Sequence, residues 1–375
     1  MLKEVSIGQE QADSHPWSVI AHSTLSQELR LRRDGMRCEH SVALHMTMSS
    51  PVSTDPITPL SASAAFQRQH LMHPSAGATA TLIGDLRELF KFKVTAMVLV
   101  TTWAGFYLGS IRSGITSVQR GLVETLLGVA LVSAGSSALN QVMERKSDAL
   151  MLRTAHRPIA SGRISLLQGL TLGLGAVLLG GWTLLLTTNL LTVALALLTA
   201  FTYVAIYTPL KRVTPLATFL GAFPGAAGPL LGWTASRGQI EWQGVALFAI
   251  LFVWQFPHFM AISWLYRQDY ARAGIRMLPV VQPDGLSTVI EALVYAVLMI
   301  PVSLAPWWLH MAGSAYAALA ILLGLFYLAY TVRFSRILRT LDETESRMVA
   351  RDLLKVSVLY LPLLLTGLML AATIR

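Results

Sequence analysis

Long apolar segments constrain this chain more than any other feature, because about 20 apolar residues in a row are enough to cross a lipid bilayer as a helix. From Val94 onward we count nine such segments. They lie at about 94–111, 121–140, 165–183, 187–206, 214–234, 242–262, 287–309, 314–332 and 354–373. Lipid offers no hydrogen-bond partner to an exposed backbone group, so each segment must be helical. The sequence therefore predicts an all-α integral membrane protein with nine transmembrane helices.

The composition agrees with a membrane protein. Hydrophobic residues make up 54% of the chain and charged residues 13%, whereas soluble domains carry about a quarter charged residues. The net charge of +9 suggests nucleic acid as a partner only for a soluble protein. Here orientation in the membrane explains the charge better, and no nucleic acid is expected. The single cysteine, Cys38, excludes an internal disulfide and a CxxC-type metal site.

The basic residues near the predicted spans fall mostly on one side of the membrane. If the N-terminus is cytoplasmic, the opposite side carries Arg112, Arg120, Arg237 and Arg375, and the other basic residues after position 82 face the cytoplasm. Cytoplasmic loops are enriched in Lys and Arg. The pattern therefore predicts a multi-pass protein with its N-terminus inside and its polar motifs on the cytoplasmic face.

Residues 1–82 differ from the remainder. They are rich in Ser, Thr, Pro and His and contain no sustained apolar run, which predicts a disordered or weakly ordered tail. Residues 83–375 then form the membrane domain. Acidic residues interspersed among the arginines of the tail argue against an organellar transit peptide. This favours the bacterial inner membrane over the mitochondrial one.

The segment Asn140 to Gly162 is the densest patch of charge in the hydrophobic part of the chain. If the preceding helix continues through it, Asn140, Glu144 and Asp148 share one face, because they are four residues apart. Two carboxylates suit Mg²⁺, which takes its other ligands from water and substrate phosphates. Asn140 can supply a neutral oxygen or orient a water. The alternative is an ordinary solvated helix end, but carboxylates at the edge of a span usually mark function.

Two pairs of basic residues follow on the same predicted face of the membrane. Arg153 and Arg157 offer planar forks to phosphate oxygens. Lys211 and Arg212, in YTPLKRVTP beside Tyr207, are able to receive a diphosphate leaving group. For each pair the alternative is simple anchoring at the cytoplasmic surface.

A second carboxylate, Asp269, follows the sixth predicted span between Arg267 and Arg272. It is a further candidate metal ligand, because two acidic loops at one membrane face are harder to explain by chance than one.

The string WQFPHF at 254–259 places polar residues near the cytoplasmic end of the same span. Trp254 offers a ring face to a carbocation or a flat ligand. His258 can ligate a haem iron, donate a hydrogen bond or transfer a proton, and a structural histidine is an equal alternative. Pro257 is expected to kink or loosen the helix.

Five motifs occur in order, NQVMERKSDALMLRTAHRPIASG, YTPLKRVTP, GAAGPLLGWTA, WQFPHF and DYARAGIRMLPVV. Together they resemble the haem-modifying farnesyltransferases of the UbiA superfamily of intramembrane prenyltransferases, from about residue 86 to the last span. The resemblance implies a nine-helix bundle around a cavity open to lipid, with a polar cytoplasmic cap. It also implies transfer of farnesyl from farnesyl diphosphate to a vinyl group of haem B with addition of water, giving haem O for terminal oxidases and diphosphate.

The resemblance assigns roles residue by residue. Asn140, Glu144 and Asp148 match the first polar motif and Asp269 the second, which makes these four the candidate catalytic residues. The metal ligands are Glu144, Asp148 and Asp269, with Mg²⁺ as the cofactor. The candidate diphosphate-binding residues are Arg153, Arg157, Lys211, Arg212 and Arg267, and the candidate haem or carbocation contacts are His258, Trp254 and Tyr207.

The chain departs from the family pattern at several positions. Glu144 stands where many members have Asp, and Ala273 stands where a second Asp usually follows Asp269, so fewer carboxylates are left for metal ions. A common Lys-Pro-Arg near the first span is Lys91-Phe92-Lys93 here, and a usual Asn is Ala217.

Two other functions remain open at this stage. One is a UbiA-type prenyltransferase acting on an aromatic or quinone precursor, and the other is a non-catalytic haem-binding or transport protein. The expected partners are farnesyl diphosphate, haem B and the lipid bilayer, with haem A synthase or terminal oxidase assembly proteins as further partners.

Overall fold

The computed structural model describes residues 81–112, 121–340 and 342–373. All but the end of the predicted tail at 1–82 therefore lies outside the described residues. Within them the chain is helical, with turns and loops but no strand. This confirms the predicted all-α class.

Eleven helices carry labels in chain order. They are α1 Leu82–Leu89, α2 Phe92–Arg112, α3 Leu122–Asp148, α4 Leu166–Thr187, α5 Leu190–Leu210, α6 Ala217–Arg237, α7 Trp242–Leu265, α8 Arg267–Arg272, α9 Leu286–Ser303, α10 Ser314–Phe334 and α11 Glu343–Thr373. Within α5 the segment Thr202–Tyr207 is π-helical. Short helical turns lie at Leu278–Val281 and Ala305–Trp308, and a 3₁₀ turn lies at Ser335–Leu338.

Eight helices in the described residues are long and apolar enough to cross a membrane. The remaining predicted span, the fifth at 214–234, corresponds to α6, which has 21 residues but is less apolar because Gly, Ala, Ser and Thr recur along it. These small residues bring α6 into backbone contact with α2. A Cβ added to Gly232 would lie 1.9 Å from the carbonyl oxygen of Thr102, and one added to Gly105 would lie 2.0 Å from that of Pro229.

The third and fourth predicted spans form a tight helical hairpin. Helix α4 ends at Thr187, and the side chain of Asn189 caps α5 by accepting a hydrogen bond of 3.0 Å from the backbone N–H of Thr192. The Asn189 amide also donates to the carbonyl oxygen of Thr234, at 2.8 Å. The turn is therefore fixed both locally and against α6.

Helix α11 begins at Glu343 and runs without interruption to Thr373, so it starts well before the predicted span at 354–373. Its first turns are held against α7, where the Trp264 indole donates to Ser346 Oγ at 2.7 Å. Ala350 and Leu353 are fully buried in the same stretch. Helix α7 likewise continues through Pro257 to Leu265.

Two apolar cores hold the bundle together. The larger core unites α7, α9, α10 and α11, and the smaller unites α3, α5 and α6. Helices α2, α3, α5, α6 and α7 all contribute residues to one cavity, in which the polar motifs meet.

Candidate active site

A cavity of about 370 Å³ lies among these five helices. Its polar wall contains Lys91, Asn140, Glu144, Asp148, Arg153, Arg157, Tyr203, Tyr207, Lys211 and Tyr270. Its apolar wall includes Val94, Val98, Val129, Val132, Ala196, Ala200 and Leu231. The polar residues lie at the start of α2, the end of α3, the end of α5 and the adjoining loops. The cavity therefore has a charged end and an apolar end.

The predicted face of α3 is confirmed by the helix that carries it. Because α3 continues to Asp148, Asn140, Glu144 and Asp148 lie one above another and all line the cavity. Each is at most 3% exposed. Carboxylates buried to this extent require partners, and both have them.

Each carboxylate is matched to one cation. Arg157 donates from Nη1 to both oxygens of Asp148, at 3.0 and 2.8 Å. Lys211 forms an ion pair with Glu144, although Oε1 of Glu144 makes no hydrogen bond of normal geometry. These pairs neutralise the two carboxylates and hold both cations at the cavity wall.

Lys91 is a site residue that the sequence analysis missed. It donates from Nζ to Asn140 Oδ1 at 2.7 Å and to the Tyr203 hydroxyl at 3.1 Å. Burial, together with the positive charge of Arg157, lowers the pKa of Lys91 to about 7. Its position beside a span suggested only membrane orientation. The Lys-Phe-Lys departure was the one local signal, and it did not indicate a cavity.

The loops that follow α3, α5 and α7 are tied to one another at this end. The backbone N–H of Arg276 donates to the Lys211 carbonyl oxygen at 2.9 Å. Arg153 lies over the Tyr266 ring at 4.5 Å and donates to the Tyr270 hydroxyl at 3.2 Å. The loop after α3 and the loop after α7 therefore meet, as the topology predicted.

Three other predicted residues lie outside the cavity wall. Asp269 is ion-paired with Arg272. Arg267 is ion-paired with Glu343 of α11 and lies over the Trp264 ring at 4.4 Å. Arg212 donates to Ser147 Oγ at 3.0 Å. Each is adjacent to the charged end and engaged with another side chain there.

Two side chains of the WQFPHF string, Trp254 and His258, face α11 instead of the cavity, whereas Phe259 lines the cavity. Nδ1 of His258 lies 2.7 Å from Ser357 Oγ, and the Trp254 indole donates to the Ser357 carbonyl oxygen at 2.8 Å. The two rings stack at 5.0 Å. Tyr207, the third predicted aromatic contact, does line the cavity.

The carboxylates fit a hard divalent cation in type and position. Glu144 and Asp148 are oxygen donors one helical turn apart on a cavity wall, which is the donor chemistry that Mg²⁺ uses together with phosphate oxygens. In the part of the chain that the structure describes, no three Asp, Glu, His or Cys side chains stand close enough to hold an ion by themselves. Any ion here needs oxygens from substrate or water.

A charged pocket mouth leading to an apolar wall inside a helical membrane bundle defines a binding site for amphiphiles with anionic heads. The pattern of the UbiA prenyltransferase family matches residues 98–359. The chain belongs to this family, as the ordered motifs predicted.

Curated relatives match most of the chain. The protoheme IX farnesyltransferase of Koribacter versatilis is 48% identical over 306 residues, which is 82% of this chain and 98% of the relative. That of Solibacter usitatus is 42% identical over 76% of this chain and 97% of the relative.

Solved structures share the fold at low identity. One from work on digeranylgeranylglyceryl phosphate synthase has a TM-score of 0.64 at 17% identity and covers 78% of this chain and 99% of that one. A UbiA homologue from Archaeoglobus fulgidus, bound to GPP and Mg²⁺, has a TM-score of 0.51 at 16% identity and covers 77% and 99%.

Proposed function

We propose that this protein transfers the farnesyl group of farnesyl diphosphate to a vinyl group of haem B, with addition of water, giving haem O and diphosphate. The observation that carries the proposal is the 48% identity to a protoheme IX farnesyltransferase over 98% of that relative. The cavity supports it, since both substrates are apolar at one end and anionic at the other.

The charged end of the cavity is the proposed diphosphate site. Arg153, Arg157 and Lys211 line it and supply the cations that phosphate oxygens need. Arg212 and Arg267 are not part of the cavity wall, and we propose that they act on the diphosphate from outside it. Their charge attracts the diphosphate and favours its departure from carbon.

Glu144 and Asp148 are the proposed Mg²⁺ ligands, with Asn140 one turn deeper on the same face. Bound Mg²⁺ supplies positive charge that stabilises the departing diphosphate. Asp269 is ion-paired with Arg272, so it binds the ion only if that pair breaks.

The apolar wall is the proposed site of the isoprenoid chain. Lipid-facing helices and closely packed valine and alanine side chains keep bulk water from an allylic cation until the acceptor reaches it. The rings of Tyr203 and Tyr207 stack at 5.7 Å beside Lys211 and offer π faces to a cation. His258 and Trp254 act in this proposal through α11, which they brace.

The chain is a multi-pass membrane protein, and its proposed location is the bacterial inner membrane with the N-terminus in the cytoplasm. The proposed domain organisation is a tail at 1–82 and a catalytic domain at 83–375. Haem A synthase and terminal oxidase assembly proteins are the proposed partners, because they consume or incorporate the product.

The test is product analysis. Purified protein is incubated with haem B, farnesyl diphosphate and Mg²⁺, and the pigments are separated and weighed by mass spectrometry. The expected product is haem O. An aromatic acid or quinone precursor is added in competition, and prenylation of that acceptor without haem O would contradict the proposal.

A further inference from the structure

Lys91 has an unusual backbone. It lies between α1 and α2 with φ at +44°, and the only other described non-glycine residue with positive φ is His310. L-residues other than glycine adopt this left-handed conformation at a cost, and such strain concentrates at functional sites. The turn places Lys91 on the cavity wall, whereas Lys93, two residues later, is exposed.

Lys91 also differs from the other lysine of the cavity in its partners. Lys211 is paired with Glu144 and Arg157 with Asp148. Lys91 donates to an amide oxygen and a phenol, and it has no carboxylate partner in the described residues. Burial and the positive charge of Arg157 lower its pKa to about 7, although Glu144 and Asp148 act in the opposite direction. An anion bound beside it would favour the charged form.

The position of Lys91 along the cavity determines which phosphate of a bound prenyl diphosphate it contacts. Its partner Asn140 is eight residues before Asp148 on α3, which is about 12 Å deeper in the membrane at 1.5 Å per residue. Val94 and Val98, on the next turns of α2, already belong to the apolar wall. The ammonium group therefore lies where the charged end gives way to the apolar end. In a bound prenyl diphosphate, the phosphate bonded to carbon lies at this border, because it joins the charged head to the apolar chain.

We propose that Lys91 binds the carbon-linked phosphate and stabilises the negative charge that forms on its ester oxygen as the C–O bond breaks. The bonding electron pair goes to the diphosphate, and the allylic cation then accepts the π electrons of the acceptor. This inference rests on the proposed function, since it requires a prenyl diphosphate that ionises in this cavity.

The test compares Lys91→Met with the matched control Lys93→Met in purified protein. Removing one such donor typically costs about 10²–10³ in kcat, so Lys91→Met is expected to lose about that factor. The dissociation constant of farnesyl S-thiolodiphosphate, a slowly ionising analogue, is expected to change far less. Lys91→Arg restores part of the turnover because it keeps the charge. Lys93→Met retains wild-type turnover.

Folding and function are separated by two further measurements. Thermal unfolding and size-exclusion profiles establish that each variant is folded, and Lys91→Gln provides a neutral variant that keeps a polar contact to Asn140. A Lys91→Gln or Lys91→Met protein as active as Lys93→Met overturns the inference alone. A wild-type protein that prenylates no acceptor overturns the proposed function and this inference together.

Discussion

Both carboxylates at the charged end of the cavity are balanced by a specific cation, Glu144 by Lys211 and Asp148 by Arg157. Glu144 is 3% and Lys211 8% exposed. Removing one member of such a buried pair leaves the other charged and without a partner, which is far more costly than removing both. The pairs therefore hold the site in shape while it contains no substrate.

At this scale we predict that Lys211→Met lowers the free energy of unfolding by about 3 kcal/mol, because Glu144 is left as a buried unpaired carboxylate. The double variant Lys211→Met/Glu144→Gln is expected to regain most of this stability and remain inactive. Thermal unfolding in detergent gives the stabilities, and haem O formation gives the activity. If the losses in unfolding free energy of the two single variants simply add in the double variant, the two residues are not coupled.

Helices α2 and α6 pass each other in backbone contact, and this crossing brings the small residues of α6 beside the cavity. Gly225, Gly228 and Pro224 line it directly. Larger residues along this face would fill the space that the proposed isoprenoid site uses. The low hydropathy of α6 is therefore a consequence of its packing.

We predict that Gly232→Ala destabilises the protein by about 1–3 kcal/mol, because overpacking a rigid contact has that cost. The new Cβ would meet the backbone of Thr102, which has no rotamer to change. The matched control is Gly175→Ala in α4, where a Cβ meets nothing within 4 Å and helix propensity improves by up to about 1 kcal/mol. Equal melting temperatures for the two variants would contradict the crossing described above.

The link between α6 and α7 depends on Glu241. Arg237 donates to it at 2.9 Å and the Trp233 indole at 3.0 Å. The hydrogen bond from Arg237 lowers the pKa of Glu241. A lowered carboxyl pKa means stabilisation that is present above the ordinary carboxyl range and is lost as the pH falls through the folded-state value.

Accordingly, Glu241→Gln should melt below the wild type at pH 7, and the difference should shrink as the pH is lowered below about 4, the ordinary range of a glutamate pKa. Melting curves of both proteins between neutral and acidic pH provide the measurement. A difference in melting temperature that stays constant across this pH range would show that the ionised form of Glu241 contributes nothing to stability.

At the scale of the whole molecule, the charged end of the cavity lies beside the loops after α3, α5 and α7, which the proposed topology places in the cytoplasm. We predict opposite accessibility for two exposed loop positions in a Cys38→Ser background. Gln239→Cys should react with a membrane-impermeant maleimide in intact cells, and Gln282→Cys only in inverted vesicles. Labelling of Gln282→Cys from outside would invert the proposed topology.

Sequence patterns predicted the parts of this molecule that depend on local chemistry. The shared face of Asn140, Glu144 and Asp148 follows from helical periodicity, and the α4–α5 hairpin follows from the short gap between the third and fourth predicted spans. The position of Lys91, which donates to Asn140 and Tyr203, depends on contacts between distant segments. The early start of α11 also depends on packing, against Trp264. No local pattern encodes these contacts.

The central claim is that prenyl transfer takes place in the cavity lined by the α3 carboxylates. Asp148 and Asp85 allow a matched comparison, because an arginine pairs with each and only Asp148 lines the cavity. The measurement is haem O formed in a single turnover by Asp148→Asn and by Asp85→Asn, with haem binding measured on the same samples. We expect Asp148→Asn to lose a factor of about 10²–10³ in turnover while it retains haem binding, and Asp85→Asn to keep near wild-type turnover. Wild-type haem O formation by Asp148→Asn would contradict the central claim.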